Sequence, residues 1–140
     1  MYPDADPLCD RCRVSPATLA HMFWSCPKLS QFWTSIFQTL SDSFGHVLDP
    51  DPALAIFGTA RENSPLRGSN LTVVRFTTLL ARRLILLNWK NTNPPSFLMW
   101  RRDVVHHLSL EKLRFTLRGS ETRFYSTWQA LIDQITSNMN

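Results

Sequence analysis

Four side chains near the start of this 140-residue chain have the types and the spacing to hold a metal ion: Cys9, Cys12, His21 and Cys26. They read CxxC, eight residues, H, four residues, C, and no other cysteine occurs in the sequence. Zinc accepts thiolate sulfur and imidazole nitrogen in a tetrahedral shell, and a two-residue spacer lets one tight turn aim two thiolates at the same ion. Three cysteines and one histidine close that shell. A closed shell predicts a structural Zn2+, because a catalytic zinc keeps a position open for water or substrate. The bland alternative, three buried thiols beside an unrelated histidine, explains a lone CxxC well and the full compact set poorly. Disulfides fit no better, since three cysteines cannot all pair within one chain. Residues Met1–Leu8 show no basic-then-apolar leader pattern, so a reducing, intracellular compartment is expected.

The flanking residues predict how these ligands are positioned. Pro7, Asp10 and Arg11 suit a polar turn, and Ser15-Pro16 is a helix-start signal: a side-chain oxygen cap followed by a residue with preset φ. A short helix from about Pro16 to Ser25 would then carry His21, with Leu19, Phe23 and Met22 or Cys26 on an apolar face. Beyond Pro27, the residues Leu29, Phe32, Trp33, Ile36, Phe37, Leu40 and Phe44 recur at helical spacing up to Gly45, a left-handed stop. Such an aromatic stripe is a core face before it is a base-stacking platform.

Residues 46–70 break the periodicity with Pro50, Pro52, Pro65, Gly58 and Gly68, leaving only Ala53–Phe57 as a short element in a connection. A central helix over Leu71–Lys90 is predicted with Phe76, Leu80, Leu84 and Leu87 inward and Arg75, Arg82 and Arg83 outward, the alternative being a helix buried on most sides. Those arginines interrupt any span of the roughly 20 apolar residues a bilayer requires. A third long helix follows from about Phe97 to Leu117, capped by Ser96 and stopped by Gly119. Its buried side is read as Phe97, Trp100, Val104 or Val105, Leu108 and Leu113. The last, from about Glu121 to Thr136, carries Phe124, Trp128, Leu131, Ile132 and Ile135 before a polar tail over 137–140. The expected architecture is all-α: a bundle of about four to five helices, residues 31–140, packed on an N-terminal CCHC zinc knuckle, residues 1–30.

Other chemistry is sparse. No phosphate-cradling glycine loop, GxSxG or HExxH occurs. His106 and His107 are adjacent, so on a helix they point about 100° apart and cannot both address one ion. Asp103 stands one turn before them, and Asp49 and Asp51 flank Pro50 in what reads as a solvated turn. No catalytic residue is assigned, and no small-molecule substrate is expected.

Charge is unevenly spread. Residues 1–60 hold three bases against six acids, whereas residues 61–123 hold twelve bases against four acids. An arginine-rich half is compatible with phosphate recognition and equally with ordinary solvated helix faces.

The stretch Cys9-Asp-Arg-Cys12, then Thr18-Leu-Ala-His21-Met-Phe-Trp24-Ser-Cys26-Pro27, then Phe32-Trp33, resembles the zinc-binding segment near the C-terminus of LINE-type (non-LTR) retrotransposon reverse transcriptases. Every ligand position of that pattern is matched. Later pieces are similar to the same family's C-terminal tail: Ile56-Phe57-Gly58, Ala81-Arg82-Arg83, Asn88-Trp89-Lys90 and Asn93-Pro94-Pro95-Ser96-Phe97 before Trp100. The family's paired-aspartate polymerase motif and its endonuclease domain have no counterpart here. The resemblance therefore implies a non-catalytic accessory part that binds template RNA or target DNA during target-primed reverse transcription, next to an upstream reverse transcriptase domain and away from membranes. It implies a cytoplasmic or nuclear setting. Arg11, Arg13 and Lys28 beside the zinc site would contact phosphates, and Arg82, Arg83, Lys90, Arg101 and Arg102 would form a second basic surface. The alternative role is a helical protein-interaction domain stapled by zinc, with no nucleic-acid binding of its own.

Overall fold

A computed structural model describes residues 7–62 and 64–137. The tail expected to be polar over 137–140 lies, apart from Ser137, outside the described residues. Five α-helices follow in order: α1 (Ser30–Phe44), α2 (Pro52–Phe57), α3 (Gly68–Leu87), α4 (Phe97–Leu117) and α5 (Glu121–Ser137). No strand occurs among the described residues, only an isolated antiparallel bridge between Leu8 and Pro16. The all-α bundle expected from periodicity is the observed fold.

Helix α1 follows its apolar stripe closely. Phe32, Trp33, Ile36, Phe37 and Leu40 are buried, and Gly45 ends the helix at φ 75°, a conformation that costs a residue with a Cβ and costs glycine little. Helix α2 is short, and its ends explain it. The Asp51 carboxylate accepts the Ala53 N–H at 2.9 Å, Pro52 presets φ, and Gly58 closes the C-terminus at φ 68°. A Cβ on Gly58 would also press to 3.2 Å from the Arg75 side chain. The carboxylates expected to solvate a turn thus include a helix cap, and Asp51 also meets Arg61 at 3.6 Å.

Helix α3 departs from its predicted face. Leu87 is 64% exposed, while Thr77 and Thr78 are fully buried beside Val73, Val74, Leu80, Ala81, Leu84 and Ile85. The helix buries a broad face, and the two threonines are tolerated there because their hydroxyls donate to the Val73 and Val74 carbonyls at 2.8 Å. The Thr77 carbonyl also accepts the Trp100 indole N–H at 3.0 Å, which locks α4 onto α3. Nor do all the arginines of α3 point outward. Arg75 donates to the Gly58 carbonyl at 2.9 Å and Arg82 to the Ala55 carbonyl at 2.8 Å. Both satisfy carbonyls at the C-terminal end of α2, where a cation is favoured.

Ser96 caps α4 by accepting the Met99 N–H at 3.1 Å. Its buried side is Trp100, Val104 and Leu108; Phe97 is half-buried, whereas Val105 and Leu113, both read as core candidates, are exposed. Helix α5 buries Phe124, Trp128, Leu131 and Ile135, and Trp128 packs edge-on to Phe76 with ring centroids 4.8 Å apart. No helix among the described residues is long and apolar enough to cross a membrane.

Candidate metal centre

The segment before α1 folds back on itself without a sheet. The Cys9 N–H donates to the Ser15 carbonyl at 2.9 Å and Ala17 N–H to the Pro7 carbonyl at 2.8 Å, so the chain leaves the CxxC turn antiparallel to its entry. Ser15 and Pro16 therefore belong to this return, and do not start a helix as their types suggested. The reversal passes through Arg13, whose φ of 61° is left-handed and whose N–H returns to the Cys9 carbonyl at 2.9 Å.

The cap is Thr18 instead. Its hydroxyl accepts the His21 N–H at 3.2 Å, three residues on. From there the chain makes a π-helical turn, His21–Ser25, closed by the Cys26 N–H on the His21 carbonyl at 3.0 Å. An i→i+5 turn is wider than an α-turn, is rare, and recurs at functional sites. It stacks the two ends of H-x4-C so that both ligands face the CxxC turn. The turn is fastened to the bundle by the Trp33 indole N–H, which donates to the Phe23 carbonyl at 2.7 Å. Phe23 meets Trp89 edge-on at 5.3 Å, and Trp24 packs on Trp33 at 5.5 Å. Cys9, Met22 and Cys26 belong to the same apolar cluster as the bundle helices.

All four predicted ligand atoms converge: the sulfurs of Cys9, Cys12 and Cys26 and a ring nitrogen of His21 lie within 4.8 Å of one another. The Cys9 and Cys26 sulfurs are 3.8 Å apart, and the Cys12 sulfur is 3.4 Å from His21 Nε2. Sulfurs each about 2.3 Å from one tetrahedral zinc would stand about 3.8 Å apart, and a sulfur and imidazole nitrogen about 3.6 Å. A disulfide would need about 2.05 Å, so the three cysteines are free thiols. The residues present fit a metal ion with a closed shell. No other group of three or more such side chains converges among the described residues.

The surroundings treat the thiols unequally. Backbone N–H groups of Ser15 and then Val14 point at Cys12 and, with help from His21, lower its pKa from 9.0 to about 6. Burial pushes the Cys26 thiol up, while the nearby Arg11 guanidinium opposes that rise. Cys12 is thus poised as thiolate near neutral pH, and Cys26 is held toward its neutral form.

The basic residues expected at a phosphate-contacting surface separate into two kinds. Arg13 and Lys28 are exposed next to the centre, and Arg83, Lys90 and Arg102 are exposed on the bundle. Arg11 is buried, 4% exposed, and donates through Nη2 to the Met22 carbonyl. Its head group lies under the knuckle, so it is withdrawn from the surface proposed for it. Arg82 is likewise partly buried and committed to α2, Arg83 pairs with Asp103 at 2.8 Å, and Arg101 is half-buried. Charge periodicity cannot separate these cases, because a guanidinium satisfies carbonyls and phosphates with the same N–H groups.

His106 and His107 stand at 90° with ring centroids 5.3 Å apart, and His107 Nδ1 is 2.9 Å from the Asp103 carbonyl one turn back. They join no metal-ligand group. Asp103 turns its carboxylate to Arg83. The Thr18 cap could have been found from its T-x-x-H spacing. The inward turn of Arg11 had no sequence signal apart from its place between two ligands. No known protein family matches the chain by sequence profile, and no solved structure matches its fold.

Proposed function

We propose that the chain is a non-catalytic, zinc-stapled accessory module of a non-LTR retrotransposon reverse transcriptase, and that it binds RNA or DNA. One observation carries the reading: the four residues of the retroelement-like signature bring their ligand atoms within 4.8 Å of one another at distances suited to zinc. Cys9, Cys12, His21 and Cys26 would hold the ion, which supplies structural cross-linking and leaves no open coordination site for a reaction. The exposed cations beside it, Arg13 and Lys28, supply the sequence-independent phosphate attraction that dominates nucleic-acid affinity. Arg102 and Lys90 extend the same chemistry to the bundle.

The test pairs elemental analysis of the purified protein with fluorescence anisotropy on single-stranded RNA, single-stranded DNA and duplex DNA over a salt series. The reading expects one zinc per chain and affinity that falls steeply with salt. Undetectable binding to all three at low salt overturns the nucleic-acid part.

A second reading is favoured by the outer face of α4, where Leu110, Leu113 and Leu117 are exposed at helical spacing, and by exposed Leu79, Leu86 and Leu87 on α3. Exposed apolar side chains recurring along a helix suit a contact with another protein. In that case zinc would staple a helical domain that packs on the polymerase. Concentration-dependent self-association of the isolated chain, with no nucleic-acid affinity, would select it.

A further inference from the structure

Arg11 sits between two of the ligands in sequence and behind the centre in space. It is 4% exposed. One nitrogen, Nη2, is used on the Met22 carbonyl and lies 3.9 Å from the Met22 sulfur, while Nε and Nη1 are buried without a hydrogen-bond partner. None of the ion pairs among the described residues involves it. A guanidinium does not escape burial by losing its proton, so its cost must be met by an anion. No carboxylate pairs with it, and the thiols of the centre flank it in the CxxC turn. Three thiolates and one neutral imidazole around a divalent ion leave one net negative charge, and one guanidinium cancels it.

We infer that Arg11 is the built-in counter-charge of the metal centre, a positioning residue whose buried guanidinium neutralises the loaded thiolate set. The inference rests on the zinc reading above. It adds that loading and folding are coupled through one side chain that touches no metal. With zinc bound, the buried guanidinium offsets the excess negative charge of the thiolate set beside it.

The experiment compares wild type, Arg11→Met and Arg11→Lys, each as the full chain, by zinc competition with a chromophoric chelator and by thermal melts of loaded and stripped protein. Arg11→Met should lose roughly 10- to 100-fold in zinc affinity, as loss of a partner just outside the ligands does. Its melting temperature should fall further in the loaded form than in the stripped form. Arg11→Lys, which keeps the charge without the planar fork, should fall between them. Cobalt-substituted protein gives an independent view, because removing the guanidinium from beside the sulfurs should shift the thiolate-to-cobalt absorption band, most in Arg11→Met. Zinc affinity unchanged in Arg11→Met overturns the inference while leaving the zinc reading intact. Equal melting losses in the loaded and stripped forms also overturn it, because they would mean that Arg11 only fills space. If wild type takes up no zinc at all, both fall together.

Discussion

The knuckle and the bundle are held together by opposite strategies. In the bundle, burial is spread over many side chains of five helices, and any one of them can be trimmed at a bounded cost. In the knuckle, residues 7–29, the apolar side chains Met22, Phe23, Trp24 and Leu29 pack toward the bundle, and four ligand atoms within 4.8 Å concentrate the segment's own cohesion at one point. A domain of this size can fold on distributed burial, whereas a segment of some twenty residues cannot. The contrast teaches where each region is fragile: the knuckle fails all at once, and the bundle by degrees.

The largest expected effect tests that contrast directly. Chelation, or Cys26→Ser, should abolish hydrogen-exchange protection over the π-helical turn while α3, α4 and α5 retain theirs, because structural zinc contributes on the order of 10 kcal/mol to a small knuckle. Simultaneous loss of protection throughout would show that the shared core makes the two regions one cooperative unit. Next in size is Trp100→Ala, which removes a fully buried ring and its bond to the Thr77 carbonyl. It should lower unfolding free energy by about 3–5 kcal/mol in denaturant melts while zinc stoichiometry stays at one.

A pH series sharpens the comparison, since only the knuckle carries strongly shifted thiols. Cys12 has a folded-state value of about 6, below its ordinary 9.0, so between those values the unfolded chain binds more protons than the folded one. Stability of the metal-free form should therefore rise with pH across that window, stand in full above it, and be lost as pH falls through about 6. The upward shift of Cys26 acts only above 9.0 and leaves this window alone. Cys12→Ser should flatten the slope in chemical melts at fixed pH steps.

Two smaller effects follow. Arg82→Ala should cost about 1.5–3 kcal/mol by freeing the Ala55 carbonyl, and exchange should quicken in α2 first. Arg13→Gly relieves a left-handed residue, a strain of about 1–2 kcal/mol partly offset by the entropy of glycine. The melting temperature should rise slightly, and if Arg13 contacts phosphate, the salt dependence of binding should weaken by about one ion.

The two regions were also legible to different degrees. Helix α1, the Ser96 cap of α4 and the stops at Gly45 and Gly119 were readable because period and capping residues are local signals. The ligand set was readable because few residue types bind zinc and their spacing is constrained. What escaped depends on partners distant in sequence. Ser15-Pro16 carries a helix-start signal that the isolated bridge from Pro16 to Leu8 overrides. Thr77 and Thr78 look like surface until their hydroxyls are seen bonded within the helix. Arg11 and Arg82 look like surface until carbonyls are found for them, at Met22 and Ala55.

The wide turn from His21 to Cys26 makes the knuckle intolerant of length change. Its closing bond spans five residues, so deletion of any one of the four between the ligands would leave a narrower α-turn, and an insertion would overrun the closing bond; either moves Cys26 from its place 3.8 Å from the Cys9 sulfur. The stretch between α2 and α3 carries no such clock, and residues could be added there at a cost that grows only slowly with loop length. Descendants of this sequence can thus vary in size at the crossover while the count between His21 and Cys26 stays fixed.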